Sequence, residues 1–492
     1  MNRPVPRSTR VASLALVLAF FTGSSLAHAQ AAGPASPGAG DLRRLPPSAV
    51  PGAALAPAGE QGAASAGPGA AGPFRLTLHE AIARGLSHNL AAVVSSQRAK
   101  AANAAEWNTR SGLLPTISAS IMDAREQINL EAYGFPVAPG ASPIIGPFDV
   151  SDRRISVNQQ LINFSAIEAA RGGRASTLAA GFADRDVREQ VVVAVSSLYL
   201  QLVATRSRID AARAQMDTAV ALEARAAALK QAGMTAGVET IRAQVQTEQQ
   251  RQRVIYLENE FEKQKLQLAR GIGWPLDQAF DLADVFPYRA LEHMAVAEAV
   301  TQALAVRPDY KAALEQVRAA EFNRLAAVGS LLPSLGLAAD IGMIGPTWGG
   351  ALKTFSFVLA VHVPIFQGGR EVSRIAGAKA LLEQERAQLA DVKARVEYEV
   401  RAALLDVDSA DRRVTVARRG AELATLQLAQ AQDRFAAGVA THVEVVQAQE
   451  AVATASENLI ASQFAHNLAK SALARALGVA ASSAERFLGG QQ

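Results

Sequence analysis

Polar and apolar residues alternate in four short stretches of the chain. At 116–122, Thr116, Ser118 and Ser120 oppose Ile117, Ala119 and Ile121, and further on Ile155 and Val157 oppose Ser156 and Asn158. The pattern returns with Leu335, Leu337, Ala339 and Ile341 against Ser334, Gly336 and Asp340. It is clearest where Phe355, Phe357, Leu359, Val361 and Val363 oppose Ser356, Ala360 and His362. A period of two marks a strand with one face to be covered, so four strands of about 7 to 10 residues in two hairpins are predicted. Around them run segments rich in Ala, Leu, Glu, Gln and Arg, which predict helices over 80–112, 165–231, 238–271, 371–437 and 442–477. A helix of about 67 residues spans roughly 100 Å, and one of about 33 to 36 residues roughly half of that. Stacked pairs of short helices therefore match one long helix, the geometry of a cylinder wall. The Ala-rich composition favours close, coiled-coil-like packing of such helices.

The pattern is written twice. Glu80-Ala81-Ile82 and Leu86 align with Glu298-Ala299-Val300 and Leu304, and Leu114-Pro115 with Leu332-Pro333. Ala232-Gly233 and Val238-Glu239 align with Ala437-Gly438 and Val443-Glu444, and Leu268-Ala269-Arg270 with Leu473-Ala474-Arg475. The offset changes once, by about 13 residues, a difference of the kind that loops absorb. The excess belongs between Pro115 and Leu161, where Tyr133-Gly134-Phe135-Pro136 and Gly146-Pro147 are loop chemistry. Repeats are expected over 74–280 and 281–480, with a C-terminal tail over 481–492.

The N-terminus adds a compartment. Arg3, Arg7 and Arg10 precede the apolar run Val11–Phe21 and an Ala27-His28-Ala29 cleavage signature, so 1–29 is expected to be a signal peptide. Residues 30–73 are Ala, Gly, Pro and Ser, a leader too poor in large apolar side chains to build a core. Losing the three arginines takes the formal net charge from +4 to about +1, which gives no reason to expect nucleic acid. The absence of cysteine excludes disulfides and thiolate metal sites. No helix beyond the signal reads as a membrane span, so a chain of this kind enters a membrane only as a closed β-barrel. Isolated hairpins are marginal in water, whereas strands from several chains closed into a barrel are stable, with apolar residues to lipid and Ser, Asn and His to the lumen.

Four motifs carry a family resemblance: Leu78-x-Glu80-Ala81-Ile82, Leu114-Pro115, Val363-Pro364-Ile365-Phe366-Gln367-Gly368-Gly369, and Phe435-x-x-Gly438-Val439-Ala440-Thr441 followed by Val445-Val446-Gln447-Ala448-Gln449. In this order the chain resembles the TolC-like outer-membrane efflux proteins over about 74–480. The resemblance implies a mainly α protein with a small transmembrane β-barrel contribution. It implies a duplicated long-helix α-barrel and four β-strands per chain, which a homotrimer would join into a 12-stranded barrel. The barrel would sit in outer-membrane lipid, the helical tunnel would cross the periplasm, and the partners would be a periplasmic adaptor protein and an inner-membrane transporter. The expected function is a passive conduit for small-molecule (drug or metal) efflux. The alternatives are a type I protein secretion channel and a periplasmic structural or adaptor protein without a pore.

No catalytic constellation or cofactor motif is present. His79-Glu80 starts a zinc pattern that fails at Ala83, and Gly271-Ile272-Gly273 reads as a helix stop rather than a phosphate loop. Candidate functional residues fall instead at the two helix-reversing turns. Glu444 and Gln447 lie where the family often carries tip carboxylates, and Phe435 lies where relatives can carry a gate aromatic, so these three are the expected gate and selectivity residues. A ring of Glu444 would favour cations. Gly233, Val238, Gly438, Val439 and Thr441 are expected to form the adaptor or pump docking surface, the glycines permitting tight reversal. Each of these positions has a plainer reading as a turn former, a solvated charge or helix packing.

Overall fold

In the computed structural model, the described residues are 74–488 without 139, 234–235, 285–288, 292–293 and 438. The expected signal peptide and leader lie outside them. Chain order is β1 (Phe74–Leu76), α1 (Leu78–His88), α2 (Leu90–Ser111), β2 (Thr116–Asn129), β3 (Ile144–Ile162), α3 (Phe164–Gln231) and α4 (Gly237–Ile272). The order then recurs as β4 (Phe280–Leu282), α5 (Val296–Val306), α6 (Pro308–Gly329), β5 (Ser334–Gly345), β6 (Leu352–His362), α7 (Arg370–Ala436) and α8 (His442–Ala476). A last helix, α9 (Ala480–Leu488), occupies most of the expected tail, and its Phe487 is buried in the main core.

The long helices α3 and α7 contain 68 and 67 residues. The first helix of each repeat differs from expectation, because it is two helices with a break. Asn89 adopts an extended backbone and caps α2 by accepting the Ala91 N–H at 2.9 Å. Its counterpart Arg307 is held extended by Pro308, as a residue before proline must be. The start of α1 is a capping box, with Thr77 Oγ1 accepting from Glu80 N at 3.2 Å and Thr77 N donating to Glu80 Oε2 at 3.0 Å. Gly273, in the left-handed region at φ 74°, ends α4 as the expected helix stop.

The hairpins join into one antiparallel sheet of order β2-β3-β5-β6. Its register gathers the alternating residues onto two faces. One face carries the rows Ile117–Val157–Ala339–Phe357 and Ala119–Ile155–Ile341–Phe355, continued by Leu337–Leu359 and Leu335–Val361. The other carries Ser118–Ser156–Asp340–Ser356 and Ser120–Arg154–Gly342–Thr354. The first hairpin is longer than predicted, with 14 and 19 residues in β2 and β3. Its outer part carries charges on both faces, Asp123, Arg125 and Asp149 on one and Asp152 and Glu126 on the other, so backbone pairing extends it where the side-chain period is interrupted. The loop over 130–143 exceeds that over 346–351, as expected, but the rest of the length difference is divided differently. In the second half, residues 363–369 connect β6 to α7, whereas β3 meets α3 almost directly.

The main core surrounds the middle of α3. Val191, Val195, Tyr199 and Leu202 pack there with Leu76, Ile82, Leu268, Trp274, Phe280, Ala299, Val396, Val400 and Leu473. The parallel pair β1–β4 closes it, and Tyr199 OH donates to Leu76 O at 2.9 Å and lies 2.6 Å from Asp284 Oδ2. This amends one expectation: α3 does contain a stretch long and apolar enough to cross a membrane by composition. That stretch is 56% buried within the fold, and the core it builds accounts for its hydrophobicity.

Candidate functional site

The turns opposite the sheet end bring the predicted residues to the ends of α3, α4, α7 and α8. Gly233 sits at φ 71° just past the end of α3, a left-handed conformation that lets the chain reverse. Val238 and Val439 are exposed, and Thr441 occupies the N-cap position of α8. Gly438 lies outside the described residues. Glu444, in the first turn of α8, is 3.4 Å from Arg434 Nε in the last turn of α7. Arg434 was missed by the sequence reading, since it becomes a neighbour only once the chain has reversed. The equivalent carboxylate, Glu239, pairs instead within α4, with Arg242 Nη1 at 2.7 Å. Both pairs are solvent-exposed enough that screening leaves them modest in strength.

Phe435 is half-buried on a small apolar cluster of Ala431, Val445 and Ala448, with Leu222 and Leu428 beside it. The Arg225 guanidinium lies 5.5 Å from its ring centroid. Phe435 therefore ties α7 and α8 to α3 of the first repeat. Gln447 is apart from it, on an open groove of about 570 Å³ between α7 and α8, with Gly420, Leu423, Gln427, Glu450 and Thr454 among its walls. The structure brings Glu444 to Arg434 and Phe435 to Arg225, and leaves Gln447 facing a separate groove.

At the opposite end, the polar face of the sheet holds Arg154 between Asp152 and Asp340, at 2.5 and 3.1 Å. The apolar face is left exposed, Phe355 81% and Val361 67%. Edge strands β2 and β6 have no further partner among the described residues. An apolar sheet face of this size, opposite a charged one, is ordinarily covered.

Known proteins place this arrangement. The family model for outer membrane efflux proteins matches residues 299–479. The pyoverdine export outer membrane protein OpmQ of Pseudomonas putida is 25% identical over 408 residues, 81% of this chain and 84% of that protein. The outer membrane efflux protein BepC of Brucella suis is 29% identical over 197 residues, 39% of this chain and 43% of its own. Among solved structures, the outer membrane protein VceC from Vibrio cholerae has the same fold, with a TM-score of 0.71 at 18% identity over 82% of this chain and 96% of that one. The chain is thus similar to outer membrane efflux proteins over about four fifths of its length, and the family model itself covers its second repeat.

Within this fold, the two helix breaks form a second, internal site that the sequence reading did not identify. Asn89 Nδ2 donates to Gly271 O at 3.1 Å, at the end of α4. Arg307 Nη1 donates to Ala476 O at 3.3 Å, at the end of α8. The two repeats thus fasten the returning helix at the same place with different chemistry. Arg307 is 2% exposed and also meets Asp309 and Glu399, each at 2.6 Å. Burial opposes its charge, but the hydrogen bonds and attraction of both carboxylates outweigh this and raise its pKa. For Asp309, burial is likewise overcome, by the Arg307 hydrogen bonds, and its pKa is lowered. The signals were present as Asn89, a favoured helix cap, and Arg307-Pro308.

Proposed function

We propose that the chain is one protomer of a homotrimeric outer-membrane channel, a passive conduit in a tripartite small-molecule exporter. One observation carries this reading: a four-stranded sheet with one apolar and one polar face, two edges unpaired among the described residues, and long helices leading away from it. Three copies joined edge to edge would make a 12-stranded barrel, apolar outside and lined by Ser118, Ser156, Arg154 and Asp340 inside. Helices α3 and α7, each about 100 Å long by their rise per residue, would carry the conduit across the periplasm. An adaptor and an inner-membrane transporter complete the system in this reading. A small-molecule cargo is favoured over protein secretion by the relatives named for pyoverdine export.

The test is direct. Protein extracted from outer membranes should need detergent, migrate as a trimer until heated, and open pores in planar bilayers. Release without detergent and no conductance would point to a periplasmic structural protein instead.

At the tip, we assign Glu444, Gln447 and Phe435 to the gate and selectivity region, and Gly233, Val238, Gly438, Val439 and Thr441 to docking. The Arg434–Glu444 pair and the Phe435–Arg225 contact support a closed state held by both an ion pair and apolar packing. Alanine at Phe435 should raise single-channel open probability; unchanged conductance would leave Phe435 as helix packing only. Crosslinkers placed at Val238 and Val439 should capture a periplasmic adaptor in intact cells, and failure at both sites would remove the docking assignment.

A further inference from the structure

The apolar face of the sheet ends in a row unlike those beneath it. Below it, the rows through Phe357 and Phe355 carry only Ile, Val, Ala and Phe, whereas the next row reads Ile121–Arg153–Met343–Lys353. Two cations thus stand at the outer end of the uncharged apolar rows. Arg153 is held in place: Trp348, from the β5–β6 loop, lies over its guanidinium at 4.4 Å, and Arg153 Nη2 donates to Trp348 O at 2.8 Å. The indole N–H in turn donates to Asp123 Oδ2 at 3.2 Å, one row further out. Asp123 offsets part of the Arg153 charge, while exposed Lys353 lies two strands away on β6.

The spacing fits a membrane boundary. From Leu335 to Met343 the strand rises about 26 Å, or roughly 20 Å along the membrane normal at the usual barrel tilt. Exposed Val363, Ile365 and Phe366 continue the apolar surface at the other end, bringing it near the apolar band of about 25 Å that such barrels present. The cationic row therefore falls where hydrocarbon gives way to headgroups, with a tryptophan beside it, as membrane-interface residues are placed.

We propose that Arg153, ordered by Trp348, and Lys353 bind the phosphate of an anionic lipid headgroup in the outer leaflet. This rests on the outer-membrane reading above. A guanidinium offers forked donors to phosphate and Lys a point charge, while the apolar rows below accept the acyl chains of the same lipid. The joint demand for phosphate and chains selects a lipid over a free anion.

The test uses the purified trimer in lipid discs of phosphatidylcholine alone, or of phosphatidylcholine with lipid A, a phosphorylated glucosamine lipid. Lipid A should raise the thermal midpoint of the wild-type trimer by at least about 2 °C. Lys353→Gln and Arg153→Gln should each reduce this shift, and the double variant should abolish it while still migrating as a trimer. No wild-type shift, a shift retained in the double variant, or an equal shift from inorganic phosphate in phosphatidylcholine discs would each overturn the proposal. Failure to form trimers in any disc would instead strike the channel reading itself.

Discussion

Arg307 shows how much one buried side chain can hold. It joins the start of α6 to Glu399 in the middle of α7 and to the last turn of α8. Removing it strands two carboxylates, one of them, Asp309, largely buried. Arg307→Ala should therefore lower stability by about 3–5 kcal/mol, as breaking a buried pair does. Asn89→Ala, which loses a cap and one neutral bond at the equivalent place, should cost nearer 1–2 kcal/mol. Thermal unfolding of the two variants side by side checks the ratio. The pH dependence has a defined sign. The folded pKa of Asp309 lies below its ordinary 3.8, so its pairing contributes fully above that value and is lost as pH falls through the lowered one. Asp309→Asn should flatten the acid limb of the stability curve. Lys470 works in the other range. Burial pushes its pKa down to about 8 from 10.5, although its Nζ donates to Arg289 O at 3.1 Å. That group contributes stability above 10.5 which is lost as pH falls through 8, so Lys470→Met should raise the midpoint at pH 7 and weaken the dependence between these values. A midpoint lowered at pH 7 would show that the Arg289 bond outweighs the buried charge.

At the scale of elements, close backbone approach decides what glycine does. Gly329 ends α6 against the start of α3, where an added Cβ would lie 2.8 Å from Ser165 N and 3.0 Å from Phe164 C. Backbone cannot rotate away as a side chain can, so Gly329→Ala should destabilise by about 1–3 kcal/mol despite its better helix propensity. Gly181, in the same long helix α3 but with open space around it, is the control, and alanine there should be neutral or stabilising by up to about 1 kcal/mol. The difference between the two also marks what a sequence can reveal. Strand alternation located the sheet, and helix lengths matched the long and short elements, because both depend on a local period. The break at Asn89 was hidden by the helix formers that follow it, Leu90-Ala91-Ala92, although Asn and the Arg307-Pro308 pair were there to be read. The outer parts of β2 and β3 were not legible at all, since pairing there rests on backbone with charges on both faces. Arg434 was similarly out of reach: nine residues separate it from Glu444, and only the helix reversal brings them to 3.4 Å.

For the whole molecule, the question is which side of the sheet meets which solvent, and neighbouring positions on one strand separate the answers. Phe357 lies in the row Ile117–Val157–Ala339–Phe357, in the middle of the apolar face. Val358 lies in the adjacent row Thr116–Asn158–Ala338–Val358, on the polar face. Side chains one residue apart on a strand point to opposite faces, so the same substitution samples two environments at one depth. If the apolar face meets lipid, Phe357→Arg places a charge near the membrane midplane at a cost of about 2–4 kcal/mol per chain. Three chains would carry that cost together, and heat-stable trimer should be largely lost. Val358→Arg would instead add three positive charges to the lumen, keep the trimer, and shift bilayer currents toward anions. A soluble assembly with its apolar face buried between helices would behave differently, because neither arginine would change ion selectivity and detergent would make no difference to either. Trimer yield by heated and unheated gel migration, together with reversal potentials in a salt gradient, reads both outcomes from one pair of variants. Equal trimer yields for the two would reject the orientation of the faces, and with it the barrel on which the channel depends.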